Sequence, residues 1–241
     1  MPMKKQSIFF CSYVLMALIS FSAHAQNSWE RPAGWKVLLK LHSDVDRDGR
    51  KDQIILLEKA DPQNIKENAD AGEGVTANFN PRRLLVLLNK DKSFQEIFRR
   101  DDLIPSASDE RAPCMGDPLN SGGISSDRGR LLIHFNWWFS CGSYETSDQI
   151  WEFRYEKQRF KLIRYEHAFF SRFDGQSTKH QFDLLNHRKT TTSEKLTGDP
   201  SKPLAKRIPF KVNQEFYLDE MVLDCSRPEQ GQRSAWCEVL K

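Results

Sequence analysis

Short apolar runs separated by polar turns set the rhythm of this chain. Residues 35–42 (WKVLLKLH) and 53–58 (QIILLE) are two such runs, on either side of a charged loop. Residues 83–88 (RLLVLL) lead through the polar NKDKS into 94–98, which is a hairpin signal. Residues 130–137 (RLLIHFNW), 149–155 (QIWEFRY) and 159–165 (RFKLIRY) follow, the last two joined by the turn EKQ. Ile150, Glu152 and Arg154 alternate with Trp151, Phe153 and Tyr155, and Phe160, Leu162 and Arg164 alternate with Lys161, Ile163 and Tyr165. A period of two marks half-buried antiparallel strands. Residues 167–173 and 179–185 continue the meander.

Helical periodicity is weak everywhere. Residues 213–223 (NQEFYLDEMVL) are the best candidate, with Phe216, Leu218 and Val222 on one face, and a strand reading is nearly as good. The pattern therefore predicts a mainly β fold, an antiparallel meander or sandwich-like domain over 26–190. Two polar stretches read as loops. Residues 59–81 carry Asn, Asp, Gly and Pro throughout, and a loop that long is uncommon unless it is functional or mobile. Residues 186–206 are basic and Pro-containing and read as a linker. On that reading, 191–241 is a linker and a small C-terminal appendage.

The first 25 residues change the picture. Lys4 and Lys5 precede an apolar stretch from Ser7 to Ser20, and Ala23-His24-Ala25 is an A-x-A cleavage site. This is the layout of a secretory signal peptide. The expected mature N-terminus is Gln26, with a periplasmic or secreted location and no membrane span after cleavage. The formal charge of +3 includes Lys4 and Lys5, so the mature chain is near neutral. That argues against nucleic acid or an anionic membrane as the main partner. Four cysteines follow the leader: Cys114, Cys141, Cys225 and Cys237. An even number in an exported chain favours disulfides. Three pairings are open, and proximity along the chain favours Cys114–Cys141 and Cys225–Cys237. The chain has no C-x-x-C motif to suggest a redox or zinc site.

The charged loop carries the most specific chemistry. Asp44-x-Asp46-x-Asp48-Gly49-x-x-Asp52 aims alternate carboxylates into one turn. Calcium takes six to eight oxygens in flexible geometry, carboxylates by preference. Asp44, Asp46 and Asp48 would be direct ligands, Arg50 would offer its backbone carbonyl, and Asp52 would reach the ion directly or through a water. Asp-Gly is also a strong turn signal by itself, so a bare hairpin turn is the competing reading. Glu58, beyond the loop, is expected to be a bystander to any ion.

The motif resembles the first half of an EF-hand loop, but Ile55 stands where the twelfth-position glutamate would be, and a β-type run follows. It is similar to the strand–loop–strand calcium sites of FG-GAP and VCBS-type repeats, here in a single copy. Over residues 36–190 the chain also resembles uncharacterised exported bacterial proteins in which one such loop precedes a β-meander. The matching residues are Gly142, Ser143, Trp151, Phe153, Arg154, Tyr155, Leu162 and Ile163. This resemblance implies a fold style and an envelope location but no activity.

The stretch HFNWWFSCGS places Phe135, Trp137, Trp138 and Phe139 beside Cys141. It reads either as a core strand ending at a disulfide or as an aromatic platform for a glycan or peptide. Aromatics on both faces favour burial between two layers. Trp29 and Trp35 read as packing residues. His42, His134, His167, His180 and His187 show no zinc-ligand spacing, and no nucleophile elbow or phosphate loop occurs. No catalytic residue is assigned. Two functions remain open. One is a calcium-braced, non-enzymatic module that binds an envelope protein or glycan through the 59–81 loop and the Trp137–Trp138 region. The other is a hydrolase with a site assembled from distant residues. Converging polar groups in a pocket near His134 or His167 would favour the hydrolase, and exposed aromatics on a flat or convex surface would favour the module.

Overall fold

The computed structural model describes residues 29–91, 93–196, 202–223 and 235–239. The expected leader (1–25) and Cys225 lie outside them. The described chain is mainly β, and its two larger antiparallel sheets do not close into a barrel. A four-stranded sheet has the order β1 (Trp35–Ser43), β2 (Asp52–Lys59), β5 (Arg82–Lys90), β6 (Ser93–Arg100). A seven-stranded sheet runs in sequence order from β7 (Gly123–Asp127) through β8 (Arg130–Trp137), β9 (Glu145–Glu156), β10 (Arg159–Ser171), β11 (Gln176–Asp183) and β12 (Arg188–Lys195) to β13 (Leu204–Pro209).

One hydrophobic core joins the two sheets. Ile54, Leu56, Leu84, Val86 and Leu88 of the smaller sheet cluster with Leu131, Ile133, Phe135, Trp151, Phe153, Leu162 and Tyr165 of the larger. Strand β2 is buried on both faces, because Ile55 and Leu57 point the other way, into a second cluster with Leu85 and Leu87. Trp29, Trp35 and Phe94 pack against that cluster, so both tryptophans serve packing. In β9 Trp151 and Phe153 face the core as the period of two expects, and Glu152 between them is buried as well, paired with Arg130. In β10 the period breaks. The register shifts between Leu162 and Arg164, so Phe160, Leu162 and then Tyr165 face the core. A bulge puts one extra residue in one strand and flips the phase.

Two stretches read as loops contain regular structure. Residues 59–81 hold a small hairpin, β3 (Ile65–Glu67) with β4 (Thr76–Asn78), and two 3₁₀ turns. Residues 186–206 supply β12 and the start of β13, which extend the larger sheet. Strand β12 has no buried residue, and its Thr-Thr-Thr-Ser run between charged ends carries no apolar signal. Residues 213–223 form neither a helix nor a strand. They cross the end of the core irregularly, with one 3₁₀ turn at Leu218–Glu220, and bury Phe216, Leu218, Met221 and Leu223. Trp236 of the short helix α1 (Ala235–Val239) packs edge-on against Tyr165 and Phe216. The C-terminal stretch thus shares the core of the β domain. Among the described residues no helix is long and apolar enough to cross a membrane.

Candidate metal centre and a separate aromatic cleft

The charged loop joins β1 to β2, whose ends pair at Ser43 and Asp52. Its backbone is wound by its own side chains. Gly49 N–H donates to Asp44 Oδ2 (3.0 Å), Asp48 N–H to Asp46 Oδ1 (3.3 Å) and Arg50 N–H to Asp48 Oδ1 (2.9 Å). Gly49 sits at φ +88°, a conformation with little steric cost only for glycine. The result brings one carboxylate oxygen each from Asp44, Asp46 and Asp48 within 4.8 Å of one another. Every donor in this group is an oxygen, which suits a hard cation.

The charges around the trio are partly compensated. Lys90 Nζ lies 2.8 Å from Asp46 Oδ2 and 3.7 Å from Asp48 Oδ2. The Arg50 guanidinium pairs with Asp48 and reaches Asp91 Oδ1 at 2.7 Å. The Arg50 backbone hydrogen bond, with its guanidinium, holds the Asp48 carboxyl below its ordinary value despite some opposing desolvation. Asp44 differs. Its Oδ1 is buried and has no hydrogen-bond partner among the described residues. A buried oxygen without a partner costs about 1–3 kcal/mol unless something fills the gap.

Asp52 stands apart from the trio. It is fully buried, its Oδ2 accepts from Val45 N–H (2.7 Å), and its Oδ1 accepts from Asn89 N–H (2.8 Å). Burial pushes its pKa up against those two bonds. Asp52 ties the loop to the end of β5. A second tether was not visible in the sequence. Gly129, at φ +75° in the β7–β8 turn, lies so close to the loop that a Cβ there would sit 2.5 Å from the Asp44 carbonyl oxygen. Ser43 and Ser126 hydroxyls meet at 2.6 Å beside it. The loop is therefore docked on the larger sheet.

Glu58, at the far end of β2, is no bystander to the fold. It is buried, accepts from Arg82 Nε (3.1 Å) and Asn78 Nδ2 (2.8 Å), and pairs with Lys36 (2.6 Å). Arg82, also buried, grips Asp117 with both terminal nitrogens (2.8 and 2.5 Å) and donates to the Pro105 carbonyl (3.1 Å). Burial pushes the Glu58 and Asp117 carboxyls up, but their hydrogen bonds outweigh it and hold both below the ordinary range.

The aromatic stretch divides. Phe135 is core. Trp137 follows it on the same face, edge-on at 5.8 Å, and donates its indole N–H to Gln149 Oε1 (2.9 Å). Trp138 is 42% exposed, with the Arg172 guanidinium 5.7 Å over its ring. Strands β9 and β10 are longer than the smaller sheet, so their inward row continues past the core. Gln149 pairs with His167, and Ser147 with Phe169. Against this row stands the segment 109–116, fixed by the Cys114–Cys141 disulfide and by Gly116 N–H donating to the Trp138 carbonyl (2.9 Å). Between them lies a cavity of about 470 Å³, lined by Trp137, Phe139, Phe169, His167, Ser147 and Arg111, among others. Trp138 is not in its lining. Of the expected cystine pairs, Cys114–Cys141 is formed. Cys237 is disulfide-bonded, and its expected partner Cys225 lies outside the described residues.

Among the described residues the histidines do not assemble a charge-relay site. His134 Nε2 bonds Asp148 Oδ1 (2.7 Å) and His180 Nδ1 bonds Thr191 Oγ1 (3.0 Å). The His167 imidazole lines the cavity and makes no hydrogen bond among the described residues.

Fold and site together define an antiparallel β protein of two large sheets and one small hairpin, with an acidic loop at one end of the larger sheet and an aromatic cleft toward the other. No family model matches the chain, and no curated protein or solved structure matches it.

Proposed function

We propose that the chain is an exported, non-enzymatic binding module whose 44–52 loop holds a structural calcium ion, as in a single FG-GAP/VCBS-type loop. The observation that carries this is the grouping of Asp44, Asp46 and Asp48, together with the buried, unpartnered Oδ1 of Asp44. Asp44, Asp46 and Asp48 supply carboxylate oxygens and Arg50 its backbone carbonyl, with waters completing the shell. Asp52 acts through a bridging water or by holding the loop, since both its oxygens already accept backbone N–H groups. Exported modules bind calcium with a Kd of about 0.1–1 mM, and tenfold saturation adds roughly 1.4 kcal/mol to stability. Export is supported by the leader pattern and the Cys114–Cys141 disulfide. An envelope protein or glycan is the partner class, and the cleft beside Trp137 is the contact region.

A hydrolase is the second reading, favoured by one observation: Ser147 and His167 line the same cavity. The module reading is preferred because His167 lacks an orienting carboxylate hydrogen bond among the described residues, and such a bond is what prepares a histidine for nucleophile activation. Two measurements test the proposal. Mass spectrometry of the envelope fraction should find Gln26 at the N-terminus, and an intact Met1 would overturn export. Melts with chelator and with about 1 mM Ca²⁺ should differ for the wild type and coincide for Asp46→Ala. Coinciding wild-type melts would leave the loop a bare turn.

A further inference from the structure

The cleft between segment 109–116 and the inward row of β9 and β10 has three properties that together select a ligand chemistry. First, aromatic rings line it: Trp137, Phe139 and Phe169, the last 38% exposed. Second, its polar groups include two with unused hydrogen-bonding capacity. The Ser147 hydroxyl and the His167 imidazole make no hydrogen bond among the described residues. Burial, with a smaller contribution from His180, pulls the His167 pKa down to about 4, so near neutral pH the ring has one donor and one acceptor. A serine hydroxyl is likewise donor and acceptor at once. Third, the rim is electrically balanced, because Arg111 lies 3.6 Å from Asp109.

These properties exclude as well as select. Among the described lining residues the formally charged groups are this one pair of opposite sign, so the lining has no net formal charge to favour a charged ligand. A purely apolar ligand would strip water from Ser147 and His167 without replacing it, leaving both polar groups unpaired. A sugar ring fits both demands. Its C–H face lies against aromatic rings, and its hydroxyls, each donor and acceptor, match ambivalent partners. The cavity, about 470 Å³, falls within the range of roughly 300–1,000 Å³ usual for small-molecule sites. The site is also preformed, since the Cys114–Cys141 disulfide fixes its outer wall.

We propose that this cleft is a saccharide-binding site for a neutral pyranose unit, stacked on Phe169 and Trp137 and hydrogen-bonded by Ser147 and His167. This rests on the binding-module reading and names its ligand class.

The test uses the full mature protein with Ca²⁺ present, on an array of neutral oligosaccharides and on an array of uncharged peptides. Hits are then titrated by tryptophan fluorescence. Trp137 packs on Phe135 in the core, whereas Phe169 packs on the cleft's own His167, so the decisive variant is the half-exposed Phe169→Ala, with Ser147→Ala second and Trp138→Ala, outside the lining, as the control. The expected result is a neutral glycan whose affinity falls roughly tenfold in Phe169→Ala, the effect of losing a stacked ring. It should also fall in Ser147→Ala and stay unchanged in Trp138→Ala. No glycan signal, or a glycan signal indifferent to Phe169→Ala, overturns the proposal. Peptide binding lost in Phe169→Ala, with no glycan signal, overturns the saccharide assignment while the module reading stands. Cleavage of a bound glycan upholds the saccharide assignment and overturns the module reading instead.

Discussion

Strand β2 has an acidic cluster at each end, and the two are finished differently. At the Glu58 end, a buried arginine lies between two carboxylates, and its guanidinium nitrogens are taken up by Glu58, Asp117 and the Pro105 carbonyl. At the Asp52 end, the carboxylates of Asp44, Asp46 and Asp48 converge, but their nearest cations are a half-exposed lysine and an arginine shared with Asp91. One buried oxygen there, Asp44 Oδ1, has no partner among the described residues. A buried carboxylate is tolerated when its charge and lone pairs are matched from within the protein. The Glu58 end meets that condition with its own residues. The Asp52 end meets it in full only if something from outside is added. The comparison therefore predicts that one cluster is indifferent to added cations and the other responds to them.

The largest effect is expected from breaking the self-sufficient end. Arg82→Met leaves the buried Glu58 and the partly buried Asp117 without their shared cation, and should cost about 3–5 kcal/mol. Chemical denaturation should show the same loss with and without Ca²⁺. Next is Gly129→Ala. Its Cβ would meet the Asp44 carbonyl at 2.5 Å from a φ of +75°, so it should cost about 1–3 kcal/mol. Because that strain falls on the docked loop, it should also raise the calcium midpoint.

Acid should separate the two ends as well. The folded pKa values of Glu58 and Asp117 are depressed. Groups of this kind contribute stability that is present above the unfolded pKa and lost as pH falls through the folded one. Stability should therefore fall below about pH 4 in chelator as well as in Ca²⁺, and Arg82→Met should flatten that fall. The smallest effect is expected from Lys90→Met. Its ammonium already pairs with Asp46 and Asp48 and would compete with an ion for them, and an exposed pair of this kind is worth about 0–1 kcal/mol. Removing it should tighten calcium binding by up to roughly fivefold, as read by isothermal titration.

The contrast also shows where sequence reasoning reaches and where it stops. The aspartate loop was legible because its information is local: spacing, a glycine and a strand on each side. The hairpins of β5–β6 and β9–β10 were legible for the same reason, and the positive φ of Lys157 and Gln158 matches the tight turn read at EKQ. What was missed is non-local. Arg82 meets Asp117 only after the chain has folded back across 35 positions, and Gly129 meets the loop only across two sheets. Strand β12 was missed because an edge-region strand of Thr, Ser and Lys has little need of apolar alternation. The phase break in β10 was missed because a bulge leaves no compositional mark. The Trp137–Trp138 pair read as one surface, yet only Trp137 reaches the cleft. The cleft depends on β9 and β10 outrunning the smaller sheet, which no single stretch of sequence encodes.

The central claim is that the Asp44–Asp48 trio is completed by calcium. Its most direct test is the melting temperature of wild type and Asp48→Ala in chelator, in about 1 mM Ca²⁺ and in an equal concentration of Mg²⁺, which gives up its waters reluctantly. The account predicts that Ca²⁺ raises the wild-type midpoint, that Mg²⁺ substitutes poorly, and that Asp48→Ala melts at one temperature throughout. Identical wild-type melts in all three conditions would contradict it.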